Sequence, residues 1–288
     1  MTKPLKLNKI FILGSSGYIG TNLFQYLNVV TEKFDIVPVC RNVSSVCFDL
    51  ESYQGNLLDF INEGDFILFL SAISSPTLCE KEPELCNKVN VENTVRLIDD
   101  ISSKGGNVIF SSSDMVFGNS NQNVFDNSPL RPFGAYGNMK AEVEKYSKNY
   151  PNVKIVRFSY VVGKGDKYTS MLIDNAKKGL VTEVYEGFER SIVSLDDVQI
   201  GLYNLILNWR DIQEKEINFV GPQCLSRWEM TMQISQVLCP NLEFYLVEAP
   251  KGFWLSRPKS IYIYSNAFKK ILGKEPDSIC KIISNWDK

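Results

Sequence analysis

The sequence predicts an α/β protein: a doubly wound, mostly parallel sheet followed by a smaller, interleaved C-terminal domain. Three observations predict it. Short apolar runs alternate with longer segments of helical period, the pattern of a sheet covered on both faces. A glycine-rich turn, Gly14-Ser-Ser-Gly17-Tyr-Ile-Gly20, joins the first apolar run to the first helical segment. Past about Gly163 the alternation loosens, which marks a change of architecture.

The elements follow in order. Lys9–Leu13 reads as the first strand and Tyr18–Val29 as its helix. Phe34–Cys40 reads as a second strand, although Pro38 within it has no N–H to give a central ladder. Ser45–Phe48 is a third, Asp65–Ser71 a buried fourth and Asn107–Ser112 a fifth. Glu84–Ser103 and Phe133–Asn149 read as long helices, and Val153–Phe158 as a sixth strand. Helical segments then fall at Ser170–Lys178, Asp196–Leu207, Arg227–Val237 and Asn266–Leu272. The expected division is a nucleotide-binding domain over residues 1–164 and a mainly substrate-binding domain over 165–288, with part of 190–208 returning to the first.

With 288 residues and a net charge of −2, the chain has no basic excess for a phosphate backbone, so nucleic-acid binding is not expected. The apolar run after the N-terminal lysines is too short to span a membrane and ends in glycines, so no membrane partner is expected and the chain reads as cytoplasmic. Its seven cysteines contain no CxxC pair and read as reduced, mostly buried thiols. There is no histidine, which excludes Ser-His-Asp and Cys-His hydrolysis and His-ligated metal catalysis; no metal site is expected. Acid–base chemistry is left to Tyr, Lys, Asp, Glu or a cofactor.

The turn at Gly14, Gly17 and Gly20 has the chemistry of a pyrophosphate cradle. One glycine bends the chain sharply, one lets backbone N–H groups approach a phosphate, and one lets the helix pack on the strand. Ser16, Tyr18 and Ile19 lie in the same turn, whose helix N-terminus faces an anion with partial positive charge. This is the Rossmann arrangement. Farther along, Tyr136 and Lys140 stand four residues apart on a predicted helix and share one face. A neighbouring ammonium favours phenolate, so such a tyrosine can exchange a proton with a carbonyl or an alcohol.

The spacing of the glycines is GxxGxxG, and this resembles the extended short-chain dehydrogenases. Asp49-Leu50 is similar to that family's adenine-contacting pair, and Ser71-Ala72-Ile73 falls where the family passes its chain under the cofactor. Asn90 matches the family's helix asparagine. The segment FSSSDMVFG followed by Tyr136-Gly-Asn-Met-Lys140 matches its Ser…YxxxK set, with Ser113 as the serine. The SSDMVF stretch is most similar to the sugar-nucleotide reductases of the dTDP-4-dehydrorhamnose reductase type.

That resemblance implies a nicotinamide-dependent oxidoreductase acting on a nucleotide sugar. Tyr136 is the implied proton donor; Lys140 holds the cofactor ribose and tunes Tyr136, and Ser113 orients the carbonyl. Family dehydratases carry Thr-Asp-Glu where this chain has Ser113-Asp114-Met115. Asp114 is kept, but a thioether accepts no proton, so dehydration is not expected. Arg190 and Arg257 resemble the arginines that contact the substrate diphosphate. Strand two ends in Cys40-Arg41-Asn42 with no carboxylate, which favours NADP(H) over NAD(H), since Arg41 suits a 2′-phosphate. The expected reaction is NADP(H)-dependent reduction of a 4-keto-6-deoxy sugar nucleotide. An NAD-dependent 4-epimerase and a non-catalytic regulatory subunit are the alternatives. The resemblance also implies a homodimer paired through the helices Glu84–Ser103 and Phe133–Asn149.

Overall fold

The computed structural model describes residues 7–42 and 44–286; the lysine-bearing start of the chain lies outside the described residues. Its contacts form two compact units, Met1–Ser112 with Met139–Val156, and Ser113–Asn138 with Arg157–Lys288. This cuts the chain differently from the expected boundary after residue 164. The cause is local. The segment after Ser113 contributes the strand Ser120–Val124, which pairs with Ser260–Ile263 late in the chain.

In chain order the strands that build the first unit are β1 (Lys9–Leu13), β2 (Asp35–Cys40), β3 (Val46–Asp49), β4 (Gln54–Gly55), β5 (Phe66–Phe69) and β6 (Asn107–Ser113). Next come β7 (Ser120–Val124), which belongs to the second unit, and β8 (Val153–Phe158). Their order across the first unit's sheet is β8-β6-β5-β1-β2-β3-β4. β1 pairs parallel with β2 on one side and with β5 on the other. The chain therefore builds outward from β1 in one direction, then returns and builds in the other. Beyond the carboxyl ends of β1 and β5 lies the switch point, where open α/β sheets bind ligands. Ile10–Leu13, Ile67–Phe69 and Val108–Phe110 are fully or almost fully buried, as strands covered on both faces must be.

Two expectations change in detail. Pro38 does lie inside β2, with neighbours on both sides. β3 pairs with β2 only at Val39 and Cys40, so no β3 residue stands opposite the missing N–H. The helix expected as one piece over 84–103 is broken into Pro83–Asn87, a π-type turn Lys88–Glu92 and Asn93–Ser103. The wide turn swings Asn90 into the interior, and Thr94 Oγ1 donates to the Val89 carbonyl at 2.9 Å.

The second unit holds a mixed sheet in which Glu189–Ser194 pairs antiparallel with Cys224–Ser226 and parallel with Ser260–Ile263. Thr182–Tyr185 pairs with Phe244–Val247, and Tyr160–Val162 with Ile192–Ser194. Helices Lys167–Lys178, Arg227–Leu238 and Ile279–Ser284 contribute to its core, among them Leu172, Met230, Ile234 and Ile279. Leu195–Leu207, the stretch expected to return to the first domain, clusters with this unit. Of the seven cysteines, Cys79, Cys86 and Cys239 are buried; Cys40, Cys47 and Cys224 are half-buried and Cys280 is exposed, so burial is less general than expected.

Candidate active site

The glycine turn fits a dinucleotide. Gly14 has φ +96°, a conformation that side chains rarely adopt, and a Cβ on it would meet Ser71 N at 2.9 Å. A Cβ on Gly20 would stand 2.2 Å from the Gly14 oxygen, so the helix packs on the turn only without one. Gly17 is the N-cap of Tyr18–Val30; it offers no side chain to cap the helix, and the first turn carries no acid. Ser16 is exposed in the turn, while Tyr18 and Ile19 are half-buried in the first helical turn. Ser15 Oγ donates to the Val39 carbonyl at 3.1 Å, tying the turn to β2.

The loop after β5 is held by one side chain. Asn90 Oδ1 accepts from Ile73 N at 2.8 Å, and its Nδ2 donates to Ile73 O at 3.0 Å. That fixes Ser71-Ala72-Ile73 beside the glycine turn. At the other side of the switch point, the carboxylate of Asp49 accepts from Ser52 Oγ at 2.6 Å and from Glu51 N at 3.1 Å. The Ser52 contact, with help from Arg41, holds its carboxyl below the usual range. Arg41 is exposed just past β2. Leu50 is buried and its carbonyl accepts from Asn93 Nδ2, a contact that sequence reading had not singled out.

Ser113 ends β6 and caps the short 3₁₀ turn Asp114–Phe117, its Oγ accepting from Met115 N at 3.2 Å and donating to Asp114 Oδ1 at 3.1 Å. Asp114 is buried, and burial raises its carboxyl pKa against the opposing pull of Arg190. Met115 is buried as well, in the place where family dehydratases carry a base. Phe133 N donates to the Met115 carbonyl, and a Cβ on Gly137 would meet the same oxygen at 2.8 Å. The start of the helix Gly134–Ser147, which carries Tyr136, is thus seated directly on the Ser113 turn.

One turn along that helix Lys140 is 2 % exposed. Its Nζ donates to the Ser111 carbonyl at 2.7 Å and lies 4.5 Å from the centre of the Phe110 ring. Burial pushes its pKa down to about 8, against the opposing influence of Glu144 and Cys79. Met139, Val143 and Ser147 are buried with it, which gives the helix its inward face.

The two arginines expected at a substrate diphosphate differ. Arg190 is buried, and its guanidinium donates to the carbonyls of Glu189, Lys259 and Pro258. The fork is therefore engaged by backbone, while its charge remains. Arg257 is half-buried, donates to Ser256 Oγ at 2.9 Å and stacks 4.8 Å from Phe253. Arg227, which no motif marks, lies over Tyr160, Tyr168 and Phe188. The Ser226–Glu229 capping box could have located its helix start, but the rings come from distant segments. Among the described residues no cluster of acidic or cysteine side chains could hold a metal, and no helix is long and apolar enough to cross a membrane.

Known proteins share this fold. Residues 10–218 match the NAD dependent epimerase/dehydratase family. The bifunctional polymyxin resistance protein ArnA of Wigglesworthia glossinidia brevipalpis is 27% identical over 97% of this chain and 49% of its own length. The chain spans about half the length of the curated relatives it matches. MoeE5, solved in complex with UDP-glucuronic acid and NAD, superposes with a TM-score of 0.80 at 20% identity, covering 96% of this chain and 97% of that one. A hypothetical dTDP-4-dehydrorhamnose reductase from Sulfolobus tokodaii gives 0.77 at 22%, covering 92% and 95%. The match over residues 10–218 makes this chain a member of the NAD dependent epimerase/dehydratase family, with the extended short-chain dehydrogenase fold.

Proposed function

We propose that this chain reduces the 4-keto group of a nucleotide-linked 6-deoxy sugar at the expense of NADPH. The observation that carries the choice of reductase is the end of β2. Arg41 is exposed there, and Cys40-Arg41-Asn42 includes no carboxylate to receive a ribose 2′-hydroxyl. A 2′-phosphate would pair with the guanidinium, which suits a cofactor that binds, reacts and leaves.

The residues that would hold the dinucleotide are Gly14, Ser16, Gly17, Tyr18, Ile19 and Gly20 at the pyrophosphate, Arg41, Asp49 and Leu50 at the adenosine, and Ser71 and Ala72 beneath it. When bound, NADPH supplies a hydride. Tyr136 gives its phenolic proton to the substrate oxygen, and Ser113 turns its hydroxyl from Asp114 to the same oxygen. Lys140 exchanges the Ser111 carbonyl for the ribose hydroxyls and keeps the phenol acidic. In the resting protein Asp114 accepts the hydrogen bond of the Ser113 hydroxyl, and Arg190 and Arg257 act on the substrate diphosphate. Residues 1–164 carry the dinucleotide contacts and 165–288 mainly the sugar-nucleotide contacts. A homodimer through the helices read as Glu84–Ser103 and Phe133–Asn149 belongs to the same reading.

A 4-epimerase using tightly held NAD is the second reading, favoured by the family's own description. Supplying NADPH and a nucleotide-linked 4-keto-6-deoxy sugar decides between them. One NADPH consumed per sugar reduced is expected. Purification with bound NAD, and interconversion of 4-epimers without net cofactor consumption, would replace reduction by epimerisation.

A further inference from the structure

Arg227 opens the helix Arg227–Leu238 in the second unit and is half-buried. Its guanidinium carbon stands 4.3 Å from the Tyr160 ring centre, 4.2 Å from that of Tyr168 and 4.8 Å from that of Phe188. The rings are themselves fixed. Tyr160 hydroxyl donates to Asp166 Oδ1 at 3.3 Å, and Tyr168 hydroxyl shares a 2.6 Å hydrogen bond with Thr231 Oγ1. The Arg227 backbone N donates to the Phe188 carbonyl at 2.9 Å, so the cation and its ring share one support.

Ring faces attract a cation, but they do not neutralise it. Among the described residues Arg227 forms no direct ion pair with a carboxylate; its side chain donates to the Met230 sulfur at 3.5 Å and to the Tyr160 hydroxyl, which reaches Asp166. Nor is it alone. Phe188 carries Arg190 at 4.3 Å as well as Arg227, and the positive charges of Arg227 and Arg257 both act against that of Arg190. Asp114 stands on the other side of that balance. A half-buried cation with no carboxylate in direct contact, beside two further arginines, favours an anion that would join it. A guanidinium held rigid by rings suits oxygens of phosphate geometry.

We propose that Arg227 is a further substrate-binding residue, taking the diphosphate of the nucleotide-linked sugar together with Arg190 and Arg257. The inference rests on the nucleotide-sugar reading above. With the Arg190 fork held by three carbonyls, Arg227 supplies the direct hydrogen bonds and Arg190 supplies field. Tyr160, Tyr168 and Phe188 pre-order the side chain, which lowers the entropic cost of binding.

Titration calorimetry on the full chain tests this with uridine 5′-diphosphate, thymidine 5′-diphosphate, inorganic pyrophosphate and the two nucleosides. Arg227→Met keeps the length and the ring contacts, and Arg227→Lys keeps the charge but not the fork. Loss of a charge-assisted contact weakens binding by about ten- to a hundred-fold. That loss is expected for nucleoside diphosphate in Arg227→Met, with a smaller one in Arg227→Lys, and with NADPH affinity unchanged. Diphosphate binding by both variants within two-fold of the parent, or an equal loss for the bare nucleosides, overturns the proposal while the nucleotide-sugar reading survives. Pyrophosphate bound through Arg227 with no preference for nucleoside diphosphates would leave the anion site and remove that reading. No binding of either by the parent chain overturns both.

Discussion

Lys140, a buried cation, donates from Nζ to the main-chain oxygen of Ser111 at 2.7 Å and lies over the Phe110 ring. Burial makes its proton easier to lose, at about pH 8 against 10.5 for an ordinary lysine. The unfolded chain therefore binds more protons between about pH 8 and 10.5, and this residue's contribution to stability rises across that window; below pH 8 its charge is a standing cost. Activity runs the other way. In the proposed mechanism the ammonium acts on ribose and phenol, so kcat/KM should fall as pH rises through about 8. Lys140→Met should lose that alkaline limb together with a hundred-fold or so of rate, on the scale of a lost acid–base partner. A pH–rate profile of both proteins checks this, and an unchanged limb in the variant would assign the titration to another group.

Tyr136→Phe removes the transferable proton and keeps the ring. Turnover should fall by about 10² or more, while NADPH affinity changes little. Steady-state rates and cofactor titration measure the two separately. Near-normal turnover would take the phenol out of the mechanism.

Asn90 clamps Ile73 through both its N–H and its carbonyl, from a side chain that is 2 % exposed. Asn90→Ala leaves two backbone groups without that partner and should cost about 1–3 kcal/mol. Asn90→Asp keeps the acceptor but sets a carboxylate against the Ile73 carbonyl, and should cost at least as much. Urea unfolding gives both values, and cofactor affinity should fall with them because the loop lies beside Gly14. A change in Asn90→Ala below about 0.5 kcal/mol, the range of ordinary surface substitutions, would show that the clamp is dispensable.

Arg41→Ala separates the two nicotinamide cofactors. Only NADPH carries a ribose 2′-phosphate for the guanidinium, and a charge-assisted contact of this kind contributes about 1.5–3 kcal/mol. NADPH should therefore weaken by roughly ten- to a hundred-fold while NADH is barely affected. Equal loss for both would show that Arg41 acts instead through Asp49, whose carboxyl it helps to keep ionised.

The parallel sheet was legible in the sequence because each strand is buried on both faces and so reads as an unbroken apolar run, as in Phe66–Phe69 and Val108–Phe110. The glycine turn was legible because its requirement is local: Gly14 needs a positive φ and Gly20 needs the absence of a Cβ. Tyr136 and Lys140 could be paired from spacing alone, since one helix fixes their separation.

Tertiary structure decided what local pattern cannot carry. The amphipathic repeat from Glu84 to Ser103 gives no sign of the π-type turn, because the reason for it is a loop seventeen residues away in sequence that Asn90 must reach. The lowered pKa of Lys140 depends on burial that only packing supplies. Arg190 reads as an anion-binding fork, yet the strand pairing that brings Pro258 and Lys259 beside it engages that fork with carbonyls. Arg227 reads as an ordinary helix-start cation until the fold brings Tyr160, Tyr168 and Phe188 against it. The sequence determined the frame and the four-residue spacing of Tyr136 and Lys140, which one helix sets; the partners of the arginines come from segments far apart in the chain, and only the folded structure chose them.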